Sequence, residues 1–426
     1  MARLGNGMTS PRIVVIGAGV GGVSFGIALR RRFPGFENFT IYEKEHDVGG
    51  TWRDNTYPGC SSDIPIHFFS ASTDPYPDWD YTHGFQPQIE AYWQSLCIKY
   101  DLYSHMEFNT LVISAEWDSA IQAYEVVTKN LKTGKEEKSI AQVVVSALGV
   151  LEITRIPEFD GIERFRGRMF HSGAWDHTVD SKLSGKRVGV VGNGASATQF
   201  VPVISEDPTV KVVEFCRTPN WFLPPIRTPY SDFEKALFRY VPLWMKLHRL
   251  RFYLTTEIFY ALIFGSPFLR WLYTKVARMY IEQNAPKEYV EQLVPRYTMG
   301  CKRVIFDTNW LASLHKPNMK ITFDGVGSIY EEGIITKKEK RCLLTCLSLQ
   351  RVSLLTSILF TSVEQGKLSA NTMIVPVDPK PTSALPFLHS PTFSSFPVPI
   401  LLLGTLPLSI LRKYKSSILC SFSSQS

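Results

Sequence analysis

Arg12-Ile13-Val14-Val15-Ile16-Gly17-Ala18-Gly19-Val20-Gly21-Gly22 reads as a strand that runs into a glycine turn and on into a helix. Residues 12–16 are a β-branched run of the kind that forms a parallel strand covered on both faces. The glycines end it, and residues 20–32 continue as the following helix. Residues 39–43 read as the next strand, closing on Glu43. Strand, glycine turn, helix, strand and acid in this order raise a bare Gly-x-Gly-x-x-Gly from a weak signal to a strong dinucleotide fingerprint. A second copy lies downstream. Residues 186–191 form its strand, Gly192-Asn193-Gly194-Ala195-Ser196-Ala197 its turn, and residues 210–215 its second strand, which leads to Arg217-Thr218.

The two copies end in opposite charges. A carboxylate at that place accepts hydrogen bonds from a ribose 2′-hydroxyl, whereas a guanidinium suits a 2′-phosphate. The chain is therefore expected to hold two nucleotides, FAD on the first turn and NADPH on the second. Gly17, Gly19 and Gly22 let the backbone approach the FAD pyrophosphate at a helix N-terminus, where free N–H groups favour anions. Glu43 is expected on the adenosine ribose. Gly192, Gly194 and Ala197 serve NADP in the same way, and Arg217 its 2′-phosphate.

The chain has 426 residues, enough for two or three domains with full cores. Hydrophobic residues make up 44% and charged residues 20%, ordinary for a globular protein. The net charge is +7, but residues 339–426 carry eight Lys or Arg against three Asp or Glu. The rest is near neutral, so the balance does not point to nucleic acid. Seven cysteines show no metal-ligand spacing, so reduced thiols and no metal are expected. Residues 1–10 lack the apolar core of a signal peptide. No uninterrupted apolar run reaches membrane-spanning length. A cytoplasmic protein without membrane association is the expectation.

Residues 51–90 are rich in Pro, Gly, Ser, Asp and aromatics and read as a long loop-bearing segment. Residues 111–116, 124–128 and 142–147 read as strands, with a hairpin turn at Lys132-Thr133-Gly134-Lys135. Residues 230–291 change to a helical, aromatic-rich pattern. This fits a helical insertion in the second domain or helices on a membrane surface, and the first reading is adopted. Residues 339–426 hold 17 leucines, 16 serines, two glycines and no tryptophan, with no persistent periodicity. A divergent natural tail and translation through an intron or in a shifted frame both fit, the second better. The fold class is α/β, with two Rossmann-like domains and a helical insertion. The boundaries are 10–160 for the FAD domain, 161–229 with 295–338 for the NADP domain, 230–294 for the insertion, and 339–426 for a tail outside the fold.

Phe165-Arg166-Gly167-Arg168-Met169-Phe170-His171-Ser172-Gly173-Ala174-Trp175-Asp176 fits Phe-x-Gly-x-x-x-His-x-x-x-Trp followed by Pro or Asp, just before the second turn. It resembles the fingerprint of flavoprotein Baeyer–Villiger monooxygenases, carried here by Phe165, Gly167, His171, Trp175 and Asp176. A second family pattern runs from Gly50-Thr51-Trp52 through Tyr57-Pro58-Gly59 to Asp63. The resemblance spans residues 11–337. Gln86-Pro87-Gln88-Ile89-Glu90-Ala91-Tyr92-Trp93 is similar in style to fungal members of secondary metabolism.

The resemblance implies NADPH- and O2-dependent oxidation of a ketone to an ester or lactone, on a hydrophobic natural-product intermediate. It places Thr51, Trp52, Arg53, Asp54, Asp63 and Val112 around FAD. Ser61, Ser62, Asn193, Ala195, Ser196, Thr198, Gln199, Thr218, Lys302 and Arg303 join the NADP set. Arg303 is implied as the active-site arginine and Asp63 as its partner. A guanidinium stays protonated and stabilises negative oxygen. Two departures stand out. A family tyrosine near the flavin falls at Phe69. The family's Asp–apolar run–Ala-Thr-Gly strand is missing beyond Lys338, which is expected to leave a sheet edge uncovered. Two rival readings remain: an N- or S-oxygenating flavin monooxygenase, and a truncated product that binds nucleotide without catalysis.

Overall fold

The structure is a computed structural model that describes residues 10–149, 154, 156–241 and 243–349. β1 (Ile13–Ile16) passes through the first glycine turn into α1 (Val20–Arg32) and β2 (Phe39–Tyr42). The short α2 (Thr51–Asp54) and α3 (Ile66–Phe69) and the longer α4 (Gln86–Lys99) follow, then β3 (Met106–Glu107). An antiparallel meander of β4 (Thr110–Asp118), β5 (Ala123–Asn130) and β6 (Glu136–Ala141) leads to β7 (Val143–Ser146). The first sheet has the parallel order β3-β2-β1-β7. The strands and the helix expected at the first fingerprint are all present.

The second sheet is built from β8 (Arg168–His171), β9 (Arg187–Val191) and β10 (Lys211–Phe215), with α5 (Ala195–Ile204) between the last two. After β10 the chain makes β11 (Phe222–Leu223) and then the helical excursion. This comprises α6 (Asp232–Tyr240), α7 (Trp244–Tyr260), a π-helical turn at Ala261–Gly265, α8 (Pro267–Asn284) and α9 (Val290–Leu293). It returns through β12 (Ile305–Phe306), which pairs with β11, and α10 (Trp310–Ser313) to β13 (Met319–Thr322). α6 starts on a reciprocal cap: Ser231 Oγ accepts from Glu234 N–H while Glu234 accepts from the Ser231 N–H. The α7 and α8 segments meet at a 105° bend and leave many apolar side chains outside, among them Leu243, Leu247, Ile258, Phe268 and Trp271. Among the described residues, no single helix is long and apolar enough to cross a membrane.

The expected boundary at residue 338 is too early. A meander of β14 (Val326–Tyr330), β15 (Gly333–Thr336) and β16 (Arg341–Leu343) delivers β17 (Cys346–Leu349) into the second sheet, whose order is β13-β10-β9-β17-β8. β17 is parallel to both neighbours, with Cys346 opposite Val188 and Arg168. All four of its residues are buried. A short strand buried on both faces needs only a few apolar side chains in a row, and Cys-Leu-Ser-Leu meets most of that need. The remainder of the supposed tail, residues 350–426, lies outside the described residues.

Among the described residues β7 is the outer strand of the first sheet, with Val143 37% exposed. The strand expected beyond Lys338 with an Ala-Thr-Gly ending is not found in residues 339–349, and residues 350–426 lie outside the described residues.

Candidate active site

The first turn is too tight for side chains. Gly17 sits at φ +101°, and a Cβ there would stand 2.8 Å from the Ala147 carbonyl oxygen. A Cβ on Gly22 would stand 1.9 Å from the Gly17 carbonyl oxygen, so α1 packs directly on the turn. Gly49 and Gly50 close on Gly19 from the other side, at φ +124° and +53°. α1 has no side-chain cap and no acid in its first turn, so N–H groups of that turn are free for an anion. This cradle fits a dinucleotide phosphate.

Glu43 lies where expected, at the end of β2, but it is buried and engaged. Its Oε2 accepts from Ala18 N–H at 2.7 Å and its Oε1 from Glu45 N–H at 3.0 Å. Arg53 Nη1 stands 3.6 Å away. Glu43 thus fixes the turn itself. Arg53 is buried and donates to the Asp47 carbonyl at 2.6 Å and to Asp54 Oδ1 at 2.7 Å. Thr51 opens α2, and the Trp52 carbonyl accepts from Gln86. Trp52 meets Phe69, the position where the resemblance leads one to expect a tyrosine, edge-on at 5.2 Å. Val112 lies on β4 in the small cluster of Val14, Tyr42 and Val126.

The second turn repeats the geometry. Gly192 has φ +104° and donates to the Phe215 carbonyl at 2.9 Å. Gly194 precedes α5, which has neither a side-chain cap nor a first-turn acid; its first turn holds Ala195, Ser196 and Ala197. Asn193 donates to the Thr218 carbonyl at 3.2 Å, and Asn220 to the Asn193 carbonyl at 2.7 Å, joining the turn to the end of β10. Lys302 Nζ donates to Thr218 Oγ1 at 2.5 Å and lies 5.0 Å from the Tyr297 ring centre. Burial, then the neighbouring Arg217 cation, holds the Lys302 ammonium below its ordinary pKa. Among the described residues neither cation has a carboxylate partner. Two cations and a hydroxyl gathered in this way fit a phosphate.

α5 also ties the lobes together. Gln199 Nε2 donates to the Ser61 carbonyl at 3.0 Å, and its Oε1 accepts from Tyr57 OH at 2.9 Å and Ser61 N–H at 3.3 Å. Ser62 Oγ donates to the Ile64 carbonyl at 2.6 Å. Thr198 Oγ1 donates to the Ala195 carbonyl, while its own carbonyl accepts from Thr308.

Between the lobes lies a cleft lined by Asp63, Thr198, Arg227, Arg303 and Asp307, among others. Arg303 Nη2 donates to Asp63 Oδ2, a pair 240 residues apart in sequence. Sequence reasoning missed Arg227 and His83. Arg227 Nε donates to the His83 carbonyl at 3.2 Å, and Nη2 donates to Ser61 Oγ. Burial and then the Arg227 charge push the His83 imidazole down to about 4. The only signal for Arg227 was its place in Leu223-Pro224-Pro225-Ile226-Arg227-Thr228-Pro229, a rigid frame for one cation.

The fingerprint motif packs rather than reaching the cleft. Trp175 is buried against Phe170 and Phe200, at ring distances of 4.9 and 5.1 Å. His171 Nδ1 accepts from Gly173 N–H at 3.0 Å, and Asp176 Oδ1 accepts from Thr178 N–H at 3.0 Å. A Cβ on Gly167 would stand 2.5 Å from the Thr345 carbonyl oxygen and 2.6 Å from the Phe165 ring, so the motif glycine permits contact with the approach to β17.

A Baeyer–Villiger monooxygenase of Pseudomonas aeruginosa is 36% identical over 329 residues, 76% of this chain and 60% of that protein. One of Streptomyces coelicolor is 34% identical over 320 residues, 75% of this chain and 59% of that protein. The chain thus spans about three-fifths of the length of these relatives. The structure of an oxidised steroid monooxygenase bound to NADP superposes with a TM-score of 0.71 at 25% identity, over 82% of this chain and 73% of that one. The family model described as flavin-binding monooxygenase-like matches residues 10–229, just over half of the chain and most of both glycine turns' surroundings, so the chain belongs to the flavin-binding monooxygenase-like family.

Proposed function

We propose that this chain is an FAD-dependent, NADPH-consuming monooxygenase that inserts one oxygen atom of O2 beside a ketone carbonyl, giving an ester or lactone. The observation that carries the reading is the Asp63–Arg303 pair, assembled across 240 residues in a cleft shared with the first turns of α5. Bound FAD, reduced by NADPH, supplies the oxygen chemistry. The protein supplies position and charge. The first turn holds the FAD pyrophosphate, with Glu43 bracing the loop and facing the ribose. Arg217, Lys302 and Thr218 hold the 2′-phosphate. Arg303 faces the carbonyl oxygen as it takes up negative charge, and a guanidinium held in place does so without reorganising. Asp63 fixes the orientation of Arg303. The substrate class is a hydrophobic ketone, which suits the Ile226, Ile305 and Phe306 wall of the cleft.

The test begins with the flavin spectrum of the purified chain, followed by NADPH without oxygen. Bleaching shows that both turns work. Ketones are then offered under ¹⁸O2. One labelled oxygen in an ester or lactone supports the proposal. An N-oxide or S-oxide as the only product transfers the chain to heteroatom oxygenation, and absence of bound flavin leaves a nucleotide-binding remnant.

A further inference from the structure

We propose that Arg227 is a third phosphate-binding cation of this site, docking the diphosphate of the nicotinamide dinucleotide. The inference rests on the reading that the second turn takes NADPH. Arg227 enters the cleft from the proline-framed segment between β11 and α6. Its guanidinium is fixed on three sides: Nε on the His83 carbonyl, Nη2 on Ser61 Oγ, and its plane 4.4 Å from the Phe85 ring centre. The backbone beside it is fastened too, because Thr82 N–H donates to the Thr228 carbonyl at 2.9 Å and Thr228 N–H to Thr82 Oγ1 at 3.0 Å. Rotamer freedom is therefore spent before any ligand arrives.

Arg303 has Asp63 as its counter-ion. Among the described residues, Arg227 forms no ion pair with a carboxylate. Burial holds its guanidinium below its ordinary pKa, consistent with a cation that has lost water without gaining a partner. An anion entering the cleft would relieve that cost. Two observations select a diphosphate. Ala195, Thr198 and Gln199, from the start of α5, line the same cleft as Arg227, so the helix end that favours phosphate and the free cation face one space. Ser61, which receives the Arg227 hydrogen bond, is held at both its N–H and its carbonyl by Gln199 of that helix. Arg227 is thereby set at a fixed distance from the turn. A carboxylate on the substrate is the other source of an oxyanion.

The experiment is equilibrium binding to the full chain without turnover, using NADP⁺ and adenosine 2′-phosphate as probes. Adenosine 2′-phosphate carries only the group assigned to Arg217 and Lys302. Arg227→Gln should weaken NADP⁺ by roughly tenfold to a hundredfold, the range of a lost charge-assisted hydrogen bond to phosphate, and leave adenosine 2′-phosphate unchanged. Arg217→Ala should weaken both probes. Arg227→Lys should recover part of the loss, and Ser61→Ala, which frees Arg227 while sparing its charge, should show a smaller loss confined to NADP⁺. Unchanged NADP⁺ affinity in both Arg227→Gln and Ser61→Ala overturns the inference and leaves the reading of the second turn intact. So does an NADP⁺ affinity that holds while KM for an acidic ketone rises, which would give Arg227 to a substrate carboxylate. A wild-type chain that binds neither probe overturns the reading itself.

Discussion

Arg217→Ala should convert a preference for NADPH into near indifference between NADPH and NADH. The cause is local to the end of β10. Arg217, Thr218 and Lys302 come together there, with Lys302 Nζ 2.5 Å from Thr218 Oγ1 and the ammonium held below its ordinary pKa by burial and by the Arg217 charge. Two like charges brought this close in the free protein are a standing repulsion, and a 2′-phosphate bearing about −1.5 to −2 charges at neutral pH relieves it. A hydrogen bond from a charged donor contributes about 1.5–3 kcal/mol. At 1.4 kcal/mol per tenfold, losing Arg217 should raise the NADP⁺ dissociation constant by roughly 10- to 150-fold. NAD⁺ has no phosphate there, so its affinity should move by less than about twofold. Added salt should shrink the difference between wild type and variant, because the site is open enough to be screened. The assay is equilibrium titration with both nucleotides, then the ratio of kcat/KM for NADPH and NADH. Parallel weakening of both nucleotides would refute the reasoning, since it would mean that Arg217 supports the fold of the turn rather than reading the phosphate.

Asp63→Asn should lower ketone turnover by about tenfold to a hundredfold while NADPH still bleaches the flavin, because Arg303 loses the carboxylate that orients it; a matching loss in flavin reduction would deny Asp63 that role. Burial pushes His67 down to about 3 and His248 to about 4, and neither ring nitrogen of His67 has a hydrogen-bond partner. Both are neutral in the fold but take up protons near 6.5 when unfolded, so this stability is complete above about pH 6.5 and is lost as pH falls towards 3. The slope for His67 is about 1.4 kcal/mol per pH unit, and His67→Leu should flatten the melting temperature between pH 6 and 4; an unchanged acid profile would count against the burial. Ser348→Val in β17 should raise stability by about 1 kcal/mol in denaturant melts, because the Ser348 hydroxyl is fully buried with no partner; destabilisation would mean that the hydroxyl is satisfied.

Both glycine turns were legible because they are local. Gly17 and Gly192 hold positive φ, and the Cβ that Gly22 lacks has no room, so the backbone path itself dictates the residue. The strands beside them were legible for the same reason, as buried parallel strands leave a run of β-branched residues. Asp63 and Arg303 were another matter. Nothing in the spacing of an aspartate and an arginine 240 positions apart joins them, and only the family resemblance brought them onto one page. Arg227 had neither advantage. Its role comes from Ser61, His83 and Phe85, which converge on it through tertiary packing alone. Glu43 ends the second strand as its spacing suggested, but its hold on the Ala18 N–H needed coordinates.

Residues 341–349 join the fold although residues 339–426 differ in composition from the rest, because composition is an average over 88 residues whereas a sheet slot is decided by four. Leu347 and Leu349 fill the cluster of Phe215, Ile329 and Ile334, and Phe165 of the fingerprint packs against the same cluster. Gly167 and Gly189 leave the room: a Cβ on Gly189 would stand 2.4 Å from Leu344 and 3.1 Å from Leu347. The fingerprint and β9 thus shape one side of the slot, and β17 supplies the other. A run as short as Cys-Leu-Ser-Leu suffices because the neighbouring strands already carry the shape, and Ser348 marks where the match is poorest. The strand order places β17 between β8, which carries the fingerprint, and β9, which leads into the second turn. The sheet that carries the second glycine turn therefore includes residues beyond 338, and among the described residues the first sheet has β7 as its outer strand.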